Sequence, residues 1–304
     1  MRLFDLHCDT VYECVCGNKS LSRNDLHLDL ERGTRYSDWV QTFAFWVPDE
    51  LPEEEQYALY QKELATFRAF EAADHRLTPF DGKPKQGKCN YLLSVEGGGL
   101  LGDQPERLQN LKQDGITFLT LTWNRANRIG GGALSDQGLT PYGREVVALA
   151  EQSGLILDAS HLNRTSFEGL CEVAKRPFVA THSNADAICP HPRNLTESQI
   201  KAITERGGLI GLNLYHAFIS PEKDADIADF LRHIEYFLSA GAESSLAIGT
   251  DFDGATLPKW INGIEGLEIL SGFVVKWFGE TVCNRIFYEN AARFYRDVIL
   301  SDML

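Results

Sequence analysis

The sequence predicts an α/β chain folded as a (β/α)₈ TIM barrel, on three observations. Eight short apolar runs recur, at residues 3–6, 42–47, 91–95, 117–122, 155–159, 178–181, 209–214 and 246–249. Most are continuous rather than alternating, the pattern of strands covered on both faces in a parallel sheet. Helical segments lie between them, and such alternation across one chain points to a parallel α/β architecture. A doubly wound sheet is the competing arrangement, but no Gly-x-Gly-x-x-Gly follows the first run.

The elements follow in order. After the first run, residues 10–40 form a long connection containing Asn18, Ser20, Ser22 and Asn24, which reads as a substrate-side loop. Residues 55–73 carry Tyr57, Leu59, Tyr60, Leu64, Phe67 and Phe70 at helical spacing. Thr140-Pro141 supplies an N-cap and a first-turn proline, and Gly154 stops that helix. Thr196 to Gln199 is a capping box whose helix ends at Gly207-Gly208. Residues 227–240 are amphipathic with Gly241 behind them, and 267–300 read as helical with a break at Gly279. No linker or repeat divides the sequence, so residues 1–304 are expected to form one domain.

Composition narrows the function. Hydrophobic residues make up 43% of the 304, enough for a sizeable core. A net charge of -14 argues against nucleic acid and anionic membrane surfaces as partners, since both need a basic patch. Residues 1–10 read as a strand rather than a signal peptide, and no apolar run is long enough to span a bilayer. The seven cysteines are scattered and odd in number, which fits reduced thiols and a cytoplasmic location.

The chemistry should lie where the runs end, because a barrel of this kind carries its site at the carboxyl ends of its strands. The ends read His7-Cys8-Asp9, Val95-Glu96, Thr122-Trp123-Asn124, Ser160-His161, Thr181-His182, Asn213-Leu214-Tyr215 and Thr250-Asp251-Phe252-Asp253. Taken singly, each has a bland reading: Glu96 as a solvated carboxylate, His161 and His182 as core imidazoles, Asp251 or Asp253 as a turn residue before Gly254. Three His, two Asp and one Glu at one rim are costly to bury without purpose. They suffice for two divalent metal ions: His7 and Asp9 on one, His161 and His182 on the other, Glu96 bridging. Mixed N/O donors without Cys suit Zn²⁺, and Mn²⁺ or Co²⁺ also fit. Such a pair lowers the pKa of a shared water to about 7, giving a hydroxide nucleophile. Asp251 would orient that water and take its proton.

These residues resemble the membrane (renal) dipeptidases, the M19 metallopeptidases, zinc-dependent barrels related to the amidohydrolases. The resemblance runs from Asp5 to Asn290. It rests on His7-x-Asp9, Ser94-Val95-Glu96-Gly97, Leu119-Thr120-Leu121-Thr122, Asp158-Ala159-Ser160-His161, Thr181-His182-Ser183-Asn184 with Pro192-Arg193-Asn194, and Gly249-Thr250-Asp251-Phe252-Asp253-Gly254. It implies a binuclear zinc site with Glu96 as bridge and Asp251 as catalytic acid/base. It also implies Arg193 as the clamp on a substrate carboxylate, with Tyr215 lining the pocket, and a homodimer. A guanidinium fork suits that carboxylate role. One position departs: Trp123 stands where the resemblance implies a histidine that stabilises the developing oxyanion. Trp offers an indole N–H and a stacking face but no cation. The expected activity is cleavage of a dipeptide amide bond. The alternatives are another small amide or a lactone as substrate, or a metal-binding barrel without catalysis.

Overall fold

The computed structural model describes residues 1–222 and 224–300. Its strands are β1 (Leu3–Asp5), β2 (Trp39–Trp46), β3 (Leu77–Pro79), β4 (Cys89–Glu96), β5 (Ile116–Thr120), β6 (Ile156–Asp158), β7 (Ile210–Leu212) and β8 (Leu246–Ile248). All pairings between them are parallel, in the order β6-β5-β4-β2-β1-β8-β7.

The sixth expected run, 178–181, is not a full strand but closes the ring. Single parallel bridges join Val179 to Asp158 and Ala180 to Ile210. The Val179 amide donates to Leu157 O at 2.9 Å and the Ala180 amide to Leu209 O at 2.8 Å. Pro177, without an amide hydrogen, stands just before it. β3 is an additional short strand beside the first residues of β4.

The barrel's interior is filled. Phe4, Leu6, Val40, Leu92, Phe118, Ile156, Val179, Leu209 and Ala247 form one buried cluster. They come from every strand position of the ring and can meet only inside it. Tyr288, Ala291, Phe294 and Tyr295 from the C-terminal helices join the same cluster and close the amino-terminal end. The other end of the barrel is left for a site.

Helices cover the outside. Helix Glu53–Ala73 lays Tyr60 and Phe67 on Phe43 and Phe45 of β2, with ring centroids 5.3–6.1 Å apart. The Thr140 side chain caps helix Pro141–Gln152, and the capping box at Thr196 opens helix Glu197–Glu205, as the sequence predicts. Helix Ile227–Ser239 also forms as expected. Gly279, at φ 86°, ends helix Gly266–Phe278 before the final helices. The connection 10–40 differs from expectation: helix Thr10–Gly17 starts directly after β1, and helix Leu30–Gly33 follows. Among the described residues no helix is long and apolar enough to cross a membrane.

Candidate metal centre and substrate pocket

The strand ends bring His7, Asp9, Glu96, His161, His182 and Asp251 to one buried place. Glu96 lies between the histidines with its two oxygens divided. Oε1 is 2.6 Å from Nε2 of His161 and 3.4 Å from Nε2 of His182, whereas Oε2 is 3.3 Å from Nε2 of His7. Nε2 of His7 is also 3.3 Å from Asp9 Oδ2 and 4.0 Å from Asp251 Oδ1. Asp9 occupies the N-cap position of helix Thr10–Gly17, yet its side chain does not cap the helix. It is turned into the site.

Neighbouring residues set the histidine tautomers. Nδ1 of His161 is 3.0 Å from the amide oxygen of Asn124, which can only accept. The Thr181 hydroxyl donates to Asp158 Oδ2 at 2.6 Å, so it accepts from Nδ1 of His182, 2.8 Å away. The Thr120 hydroxyl donates to the same Asp158 oxygen at 2.8 Å. Both imidazoles therefore carry hydrogen on Nδ1 and present a bare Nε2 to the centre. Burial, with Arg193 adding to it, pushes His161 down to about 3, so its ring is neutral at neutral pH. Neutral imidazole is the form that binds metal. Burial opposes ionisation of Glu96, but the charge of the adjacent His7 outweighs it and holds the carboxyl well below its usual range.

These donors fit divalent metal. Nε2 of His7 and Oδ1 of Asp9 are buried without any hydrogen-bond partner. Ligand atoms of His7, Glu96 and His182, and of His7, Asp9 and Asp251, lie within 4.8 Å of one another. The grouping is tighter than the two private pairs expected from sequence, because His7 belongs to both sets.

Backbone geometry is unusual at this spot. His161, Asp251 and Asp253 have φ of 70°, 59° and 70°, three of the four left-handed non-glycine residues among those described. Such conformations cost energy and gather at functional sites. Gly254 has no room for a side chain, since a Cβ would lie 2.1 Å from Asp9 Oδ2. The two candidate aspartates separate here. Asp253 is occupied, accepting from the Thr10 hydroxyl at 2.5 Å and the His27 amide at 2.7 Å. Asp251 accepts from Asn213 Nδ2 at 2.9 Å through Oδ2, and its Oδ1 faces His7.

A cavity of about 340 Å³ opens over these groups. Asp9, Glu96, His161 and Asp251 line its floor, and Arg193, Trp123 and Tyr215 also line it. Arg193 is only 6% exposed, its Nε and Nη2 have no partner, and its guanidinium lies 5.3 Å from the Phe218 ring centre. Burial lowers its pKa to about 10, so it remains a cation. Trp123 packs edge-on to Trp46 at 4.9 Å, and Trp46 packs edge-on to Tyr12 at 4.6 Å. Tyr12, Glu13, Trp46 and Phe218 are lining residues that the sequence reading does not single out. Placing the helix start at Thr10 would have found Tyr12 and Glu13, which follow Asp9 by one turn.

The model of the membrane dipeptidases, peptidase family M19, matches residues 1–300. The chain belongs to that family. This M19 chain is 32% identical over 220 residues to an uncharacterized protein from the pqqA 5′ region of Klebsiella pneumoniae, covering 68% of this chain and 81% of the other. It matches the structure of the metallopeptidase named dipeptidase AC with a TM-score of 0.89 and 26% identity, over 98% of this chain and 99% of that one. A metallopeptidase from Rhodobacter sphaeroides, solved with a phosphinate mimic of the dipeptide L-Ala-D-Ala, has the same fold: TM-score 0.89, 24% identity, 98% and 99% coverage. M19 membership makes this chain a metal-dependent, dipeptidase-like hydrolase acting on small molecules.

Proposed function

We propose that His7, Asp9, Glu96, His161 and His182 hold two divalent ions, zinc by preference, and that this centre cleaves the amide bond of dipeptides. The division of the Glu96 oxygens between His7 and the His161/His182 side carries the reading, because a bridging carboxylate needs that orientation. The all-N/O donor set supports zinc. When bound, such ions polarise a carbonyl and lower the pKa of water.

The chain's own groups do the rest. Asp251 takes the proton of the attacking water through Oδ1 and returns it to the leaving amine, while Asn213 fixes Oδ2. Arg193, a buried cation lacking a partner for two of its nitrogens, receives the C-terminal carboxylate. Glu13 has no ion pair among the described residues. It stands after the first strand, across the ring from Arg193, where it suits a substrate ammonium. Trp123 and Tyr215 flank the bound peptide. The chain is read as a single domain, supported by one sheet that runs from Leu3 to Ile248. A cytoplasmic location is supported by seven cysteines free of disulfides.

A substrate panel tests this: dipeptides, some with a D-residue at the C-terminal position, against N-acyl amino acids and lactones. Turnover of dipeptides is expected. Turnover of lactones alone would replace the substrate while leaving the metal centre in place.

A further inference from the structure

His27 does not line the pocket, yet it grips the loop that carries Asp251. It lies on the connection between β1 and β2, and the residue it holds is Asp253, which does line the pocket. The two are joined reciprocally. The His27 amide donates to Asp253 Oδ1 at 2.7 Å, and the Asp253 amide donates to Nδ1 of His27 at 2.9 Å. A ring nitrogen that accepts has no hydrogen, so His27 carries its hydrogen on Nε2. The two rings meet as well: His27 packs against Phe252 with centroids 5.9 Å apart.

His27 is itself held fast. Its carbonyl accepts from the Ile264 amide at 2.9 Å. Gly263 comes so close to that carbonyl that a Cβ on it would clash. Arg32 donates to Leu26 O at 2.6 Å and to Asp29 Oδ2 at 2.9 Å, which ties down the residues on both sides of His27. A side chain fixed in this way can fix its partner in turn.

The loop needs holding. Asp251 and Asp253 both take left-handed backbone, at φ 59° and 70°, which persists in a non-glycine residue only where contacts enforce it. The Asp251 amide reaches His7 O at 3.2 Å, and the Asp9 amide donates to Phe252 O at 2.8 Å. Both bonds tie the loop to the end of β1. The Asp253 amide has no acceptor but His27 among the described residues. Without the imidazole, a strained residue two positions from Asp251 keeps an unpaired amide. Its backbone is then free to turn, and Asp251 Oδ1 turns with it.

We infer that His27 is a positioning residue: through Asp253 it sets the direction in which Asp251 presents Oδ1 to the attacking water. The inference rests on the reading of Asp251 as proton acceptor. Variants of the full chain test it. His27→Ala removes the acceptor, His27→Asn keeps one where Nδ1 stood, and His27→Gln moves it one bond outward. A misplacement of about 1 Å can cost 10²-fold in rate, so His27→Ala and His27→Gln should lose about 10- to 100-fold in kcat with KM within about twofold. His27→Asn should recover most of that loss. On Asp251→Asn, His27→Ala should cost nothing further, because the group it positions is gone. Deuterium exchange needs no turnover: the peptide holding the Asp253 amide should exchange faster in His27→Ala and at the wild-type rate in His27→Asn. Wild-type kcat in His27→Ala overturns the inference, as does unchanged exchange. A loss that His27→Asn does not recover, or that recurs in full on Asp251→Asn, also overturns it, since either marks a general weakening of the fold. Asp251→Asn at wild-type kcat overturns the reading of Asp251 and this role with it.

Discussion

Nε2 of His161 stands 2.9 Å from Nε2 of His182, and neither nitrogen carries a hydrogen. Asn124 takes the Nδ1 hydrogen of the first ring and Thr181 that of the second. Two lone pairs facing each other at hydrogen-bond distance repel. With Glu96 Oε1 beside them, they are arranged for a cation that both can share.

Thr181 should therefore matter to metal binding without touching metal. Thr181→Val removes the hydroxyl between Asp158 and His182, leaving the imidazole free to turn or to change tautomer. Metal affinity is expected to fall about 10–100-fold, measured by competition with a chromophoric chelator. The lost bond to buried Asp158 should also destabilise the fold by about 1–3 kcal/mol. Unchanged affinity would show that the Asp158–Thr181–His182 chain does not orient the ligand.

Arg193 should trade stability for binding. Its guanidinium is buried over Phe218 with two nitrogens unpartnered, and an unpaired buried charge costs more than an apolar group of similar volume. Arg193→Met is expected to raise Tm. The same change should raise KM at least tenfold for dipeptides with a free carboxylate and much less for their C-terminal amides. Thermal melts and paired kinetics read both effects, and equal losses on acids and amides would count against a carboxylate clamp.

Trp123 borders the site, its ring 6.1 Å from that of His161. Trp123→His puts an imidazole, a donor that can also carry charge, where the indole offers a single N–H. Such donors are worth about 10²–10³ in rate, so kcat on dipeptides should rise toward 10²-fold. An unchanged or lower kcat, with the fold intact, would mean that another group already serves the oxyanion.

Asp49 gives a pH signature away from the metal. Its carboxylate accepts the Arg125 amide at 2.7 Å, on the loop that follows Trp123. Burial raises its pKa from 3.8 to about 6, with Glu50 adding and the Arg125 bond opposing. Between those values the folded chain holds a proton that the unfolded chain has released, so stability falls as pH rises through the window. Asn keeps the acceptor without the charge. Asp49→Asn should therefore melt higher than the parent at pH 7, with the gain shrinking toward pH 4. A gain that does not depend on pH would exclude ionisation as its cause.

Much of the site could be read from sequence because its residues sit where apolar runs stop. His7, Asp9, Glu96, His161, His182 and Asp251 all follow such runs, and the barrel brings run ends together. What was hidden depends on contacts distant in sequence. Thr181 reaches Asp158 across 23 residues, and no periodicity reports that bond. Tyr12 and Glu13 were hidden because residues 10–40 lack a clear helical pattern, although a helix begins at Thr10. β3 was missed because Leu77–Pro79 is three residues long and ends in proline, and it is held by its neighbour β4 rather than by its own composition. Asp251 and Asp253 could not be separated by type. Only the Thr10 and His27 contacts show that Asp253 braces the loop.

In the proposed centre Glu96 joins two metal ions, held by His7 and Asp9 on one side and His161 and His182 on the other. Metal analysis of the purified wild-type chain and of Glu96→Ala, each checked for fold by circular dichroism, tests it most directly. Two divalent ions are expected per wild-type chain and at most one in the variant. A Glu96→Ala chain that still holds two ions would contradict it.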